Sequence, residues 1–139
     1  MPLTYPILIP ISFGELIDKI TILRIKASKL LNPTALSNVR DELEALEEVF
    51  KRAATASSST TSDSLKIKTE ELQKINQQLW DVEDQLRLME SKRNFDDSFI
   101  TAARSVYQLN DQRAGIKKSI NMLCQSPFME EKSYGERVS

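Results

Sequence analysis

Nine side chains in the second half of the chain have types and spacings suited to chemistry. Asn76, Trp80, Glu83 and Arg87 follow at intervals of four, three and four residues, so on a helix they share one stripe. Arg104, Tyr107, Asn110, Asp111 and Arg113 cluster further on. An antiparallel hairpin pivoting about Phe95 would bring Glu83 toward Arg104 and Tyr107, Trp80 toward Asn110, and Asn76 toward Arg113. A flat aromatic, two amides and paired charges suit a sugar or another polyhydroxylated or anionic small molecule. The same residues also suit salt bridges and hydrogen bonds that set register in a helical bundle or its dimer. Arg113 lies on the seam between Leu109 and Ile116, where a guanidinium needs a partner: Glu83, Asp84, Asn76 or a carboxylate from another helix. Hydrolysis by a metal held on Asp81, Glu83 and Asp84 fits poorly, because Asp81 and Asp84 share a face and Glu83 points elsewhere.

Composition removes other chemistries. The chain has 139 residues, enough for one domain. It contains no histidine, which excludes Ser-His-Asp and Cys-His catalysis and His-containing zinc sites. No metal or cofactor is expected, and a binding role is favoured over an enzymatic one. Lys and Arg number 19 against 20 Asp and Glu, so the net charge of −1 argues against nucleic-acid binding. Cys124 is the only cysteine, which points to a reducing, cytoplasmic setting. The apolar N-terminal run carries no preceding Lys or Arg, is broken by Pro2, Pro6 and Pro10, and is too short to span a membrane; it reads as neither signal peptide nor membrane insertion.

The elements that position the polar stripe are helices. Leu65, Leu72, Leu79 and Leu86 recur every seventh residue, with Ile75, Val82 and Met89 three residues after the later ones. This predicts helix 3 over 65–93. Ala102, Val106, Leu109, Ile116, Ile120 and Leu123 predict helix 4 over 97–124, capped by Asp96, with Phe95 and Ile100 at the staple positions. So short a loop makes the two helices antiparallel.

Upstream, Ser12 and Glu15 form a capping-box pattern, with Ile11 and Leu16 at the staple positions, and open helix 1 over 12–31. Leu16, Ile17, Ile20, Leu23, Ala27, Leu30 and Leu31 make its main stripe. Ile22 and Ile25 lie on a flank shared with Asp18 and Lys29, so this helix is apolar on more than one side and calls for a second cover, either the arm or another protomer. Asn32 and Pro33 stop it, Asn32 as a left-handed cap. Helix 2 is expected over 34–53 with an acidic, solvated outer face, and the Ser/Thr-rich stretch 54–64 reads as a flexible linker. Residues 1–11, with a proline every fourth position, form an extended apolar arm that lies across its own bundle or crosses to a second subunit. Residues 125–139 read as a frayed polar tail.

Several strings carry a resemblance. Pro10-Ile-Ser-Phe-Gly-Glu-Leu-Ile-Asp-Lys-Ile-Thr-Ile-Leu23, Leu79-Trp-Asp-Val-Glu83, Ala103-Arg-Ser-Val-Tyr107 with Asn110-Asp-Gln-Arg-Ala114, and Glu131-Lys-Ser-Tyr134 resemble an uncharacterised family of short helical proteins. That family is bacterial, including marine cyanobacteria and their phages, with related segments beside glycosyltransferase or tetratricopeptide modules. The resemblance implies an association with surface-polysaccharide assembly and no particular activity. Leu16 to Arg24 also looks a little like the opening helix of small all-helical chorismate mutases, but Asp18, Arg24 and Lys26 do not share one face and the rest of that pattern is missing.

Together these readings give an all-α protein: an extended N-terminal arm, then a four-helix bundle built on the long antiparallel hairpin. The leading functional expectation is a self-associating, dimeric interaction or assembly module that also serves other protein partners. The alternative is a small-molecule or sugar-binding protein, or an enzyme linked to surface-polysaccharide metabolism, using the hairpin's polar cluster.

Overall fold

A computed structural model describes residues 5–55 and 58–132. Four helices follow in order: α1 Phe13–Lys29, α2 Pro33–Ala54, α3 Ser59–Ser91 and α4 Asp97–Leu123, with no strand among the described residues. The all-α hairpin architecture is therefore as the sequence predicts. Its centre is different. The pairs that pack extensively are α3 with α4, and α1 with each of α2, α3 and α4, so α1 rather than the hairpin is the common element.

Helix α1 is held between the hairpin on one side and α2 on the other, which explains its two apolar flanks. Ile17, Ile20, Leu23 and Ile25 are all buried. The second cover is α2, not the arm. The arm does not lie across its own bundle: Tyr5, Ile7, Leu8 and Ile9 are 86%, 82%, 88% and 67% exposed.

Local signals explain the helix ends. The Ser12 side chain accepts from the Glu15 amide at 3.1 Å, fixing the start of α1. Glu15 does not complete a reciprocal box; its carboxylate reaches Lys117 instead. Asn32 serves the following helix rather than the preceding one. Pro33 drives it into extended backbone, φ −67°, where its side chain accepts from Ala35 N at 3.0 Å. Helix α3 begins at Ser59, six residues before Leu65, because Ser58 caps it through Thr61 N. Most of the expected linker is thus helical, and residues 56 and 57 lie outside the described residues. At the hairpin, Arg93 adopts φ 51° so that Asn94 N returns to Met89 O, and Asp96 accepts from Ser98 N and Phe99 N. Phe95 packs edge-on against Phe99 with ring centroids 5.2 Å apart, while Ile100 stays exposed.

The core is small and lies at the level of α1. Ile17, Leu65, Leu72 and Ile120 form its centre, with Phe13, Phe50, Ile116, Leu123 and Cys124 packed around it. Beyond Asn76 no residue of α3 is fully buried, so the far half of the hairpin projects past α1 and is held mainly by its own seam.

Gly14 sets how closely α1 approaches α4. Its N–H donates to Asn121 Oδ1 at 2.7 Å, and a Cβ there would stand 2.7 Å from the Lys117 carbonyl oxygen and 2.9 Å from Asn121 Oδ1. One of these neighbours is backbone, so the contact cannot be relieved by a rotamer change. Gly14→Ala is therefore expected to destabilise the fold by about 1–3 kcal/mol despite alanine's better helix propensity. Urea unfolding followed by circular dichroism measures it.

Candidate functional site

The Asp18 carboxylate is the node of the site. It is 2% exposed, yet it ties α1 to two other helices at once. Arg113 on α4 grips it with two bonds, Nε to Oδ1 at 2.9 Å and Nη2 to Oδ2. Asn76 on α3 donates to Oδ1 at 2.9 Å and also to Thr21 Oγ1 at 2.9 Å, and the Thr21 hydroxyl donates to the Asp18 carbonyl. The Asp18 carboxylate, the Asn76 amide N–H groups and the Thr21 hydroxyl thus all have partners, as burial demands.

A second rung lies one turn away. Lys117, almost fully buried, holds Glu15 at 2.6 Å and Glu130 at 3.0 Å, with Asp18 Oδ2 at 4.0 Å. The tail as far as Glu130 is therefore tied to the bundle rather than frayed; residues 133–139 lie outside the described residues.

These contacts set the protonation states. Burial alone would raise Asp18, but the hydrogen bonds from Arg113 and Asn76 and the charges of Arg113 and Lys117 outweigh it and hold the carboxyl below its usual range. The Asp18 hydrogen bond raises Arg113. Burial would lower Lys117, yet Glu15 and Glu130 raise it. Lys117 in turn lowers Glu130. Burial raises the Cys124 thiol, which makes it a poor nucleophile.

Above the node, Asn76, Trp80, Glu83, Arg87, Asn110 and Arg113 line one cleft of about 470 Å³, joined by Ile22, Leu79 and Asp84. The hairpin thus brings six of the nine candidates together. Arg104, Tyr107 and Asp111 are exposed and lie outside it. At 100° per residue these three occupy a stripe of α4 about 120° away from that of Asn110, Arg113 and Lys117. Among the described residues Glu83 makes no ion pair with Arg104, and the partner of Arg113 is the carboxylate from another helix. Asn110 Oδ1 also accepts from Arg113 Nη1 at 3.4 Å.

Sequence reasoning missed Asp18, Thr21, Gly14, Lys117 and Asn121. A signal was present: Asp18 and Thr21 are one turn apart on a face shared with Ile22 and Ile25, where a carboxylate needs a partner. Among the described residues no group of three or more acidic or cysteine side chains is arranged to hold a metal ion, and no helix is long and apolar enough to cross a membrane.

Fold and site together define a small all-α protein whose helices are keyed by a buried carboxylate–guanidinium–amide node beneath an open polar cleft. The match of residues 7–139 to a family model places it: the chain belongs to a family of unknown function (DUF6165). Comparison with curated proteins and with solved structures gave no match.

The node makes a pH-dependent contribution of definite sign. Because the folded pKa of Asp18 lies below the unfolded value, its stabilisation is present above the ordinary carboxylate range and is lost as pH falls through the folded pKa. Asp18→Asn is expected to cost about 3 kcal/mol at neutral pH, since it leaves Arg113 without its charge partner. It should also flatten the acid limb of stability against pH, measured by urea titrations from neutral to acid pH.

Proposed function

We propose that this chain is a helical assembly module that pairs with a second copy through its N-terminal arm. One observation carries the reading. Four large side chains, Tyr5, Ile7, Leu8 and Ile9, stand in solvent on a segment whose prolines keep it extended. Burying each contributes about 1.5–3 kcal/mol, and a symmetric pair buries two arms.

The receiving surface accords with this. At the root of the arm, Phe13, Leu65, Leu123 and Cys124 line a groove of about 350 Å³. Ser12 is extended and the arm leaves the bundle without a reversing turn over residues 6–11, which favours the groove of a second copy over its own. Arm and groove share one end of the molecule, as a two-fold pairing requires. A single half-buried Cys124 is in keeping with the reducing, cytoplasmic setting proposed for such a module.

Light scattering on the full chain and on an Ile7→Ser, Leu8→Ser, Ile9→Ser variant tests the reading. The parent should run at twice 15.8 kDa and the variant at 15.8 kDa, with matching far-ultraviolet circular dichroism because none of the three residues is in the core. The Cys124 thiol should react faster with a disulfide reagent in the variant. A parent chain that is monomeric at working concentration sinks the proposal.

A further inference from the structure

The node uses up Asp18, Asn76 and most of Arg113, but four side chains of the cleft remain unaccounted for. Trp80, Glu83, Asp84 and Arg87 form no side-chain hydrogen bond or ion pair among the described residues. Register-fixing groups should be paired; these are not. We infer that the cleft between α1, α3 and α4 is a binding site for a neutral polyhydroxylated ring of monosaccharide size.

The chemistry of the lining selects that class. Asp18 already balances Arg113, so the free charges are two carboxylates against the single guanidinium of Arg87. Their sum is negative and opposes an anion such as phosphate or a sugar acid. The lining offers strong acceptors, Glu83 and Asp84, beside donors, Arg87 and the remaining N–H groups of Arg113. A ligand hydroxyl donates and accepts at once, so a polyol satisfies both kinds, whereas a simple cation leaves the guanidinium groups facing it unsatisfied. Trp80, Leu79 and Ile22 supply an apolar wall for the non-polar face of a ring. The volume, about 470 Å³, is within the range of small-molecule sites. Arg113 is pre-organised by its two-pronged bond to a nearly inaccessible carboxylate, so ligand binding does not have to order it. This site is independent of the arm-mediated pairing proposed above.

Trp80 is the only tryptophan, which makes its fluorescence a direct reporter of the cleft. The full chain is titrated separately with glucose, galactose, mannose and N-acetylglucosamine, and with glucuronate, choline and inorganic phosphate, each to about 10 mM, tenfold above a Kd of about 1 mM. At least one neutral sugar is expected to shift the emission saturably. Glu83→Gln and Arg87→Ala, both exposed positions whose circular dichroism should be unchanged, are expected to weaken that titration about tenfold. Three results overturn the inference: no response to any neutral sugar, a response to choline, glucuronate or phosphate in its place, or an emission change that follows protein concentration alone. The last would make the cleft a protein contact.

Discussion

A carboxylate with no access to water has to be held by something charged, and in this protein that requirement organises the helices. Asp18 sits on α1, its guanidinium partner on α4 and its amide partner on α3. Sliding α1 or α4 by one residue would strand a charge at a cost of several kcal/mol, and sliding α3 would take the Asn76 donor away from Asp18. The central apolar cluster is small, so shape complementarity by itself would specify the arrangement weakly. Glu15, Lys117 and Glu130 repeat the device one turn along, and Gly14 against Asn121 sets the closest approach. Polar keys, rather than a large core, define which helix lies where.

This explains why some features were legible in the sequence and others were not. Helix starts are local: Ser12 and Asp96 announce themselves through short-range spacing, and the structure follows them. The lone guanidinium on the seam was equally readable as a group in search of a carboxylate. Its partner was not, because periodicity groups residues by face and placed Asp18 with Ile22, Ile25 and Lys29 on a second flank of helix 1 without saying which helix that flank meets. Nor does periodicity state the order of helices around a core; the central position of α1 depends on which of its two apolar sides meets which neighbour. The Ser/Thr-rich stretch before Leu65 misled for a different reason. Serine and threonine are only modest helix formers, but an N-cap at Ser58 and a buried Leu65 outweigh propensity there. The candidate cleft was half legible: the α3 stripe was correctly grouped, while on α4 a cluster in sequence was mistaken for a cluster in space.

The molecule divides its surface accordingly. One end combines an extended apolar arm with a groove at its root, suited to another protein chain. The cleft beside the node, at the junction where the hairpin passes beyond α1, carries unpaired polar groups suited to a small ligand. The polar residues at the start of α1 have structural partners: Ser12 caps the helix, and Glu15, Asp18 and Thr21 bond to other helices.

Helix α2 stands apart from this scheme. None of its residues is fully buried, and Glu47 pairs with Arg24 of α1 across an exposed surface. An element held chiefly by one neighbour, with Phe50 its contact to the central cluster, is the part of such a fold that opens most readily. Peeling α2 away leaves the buried node on the opposite side of α1 intact and lays bare an apolar helix flank. Opening at that boundary would spare the polar keys while uncovering an apolar strip of α1.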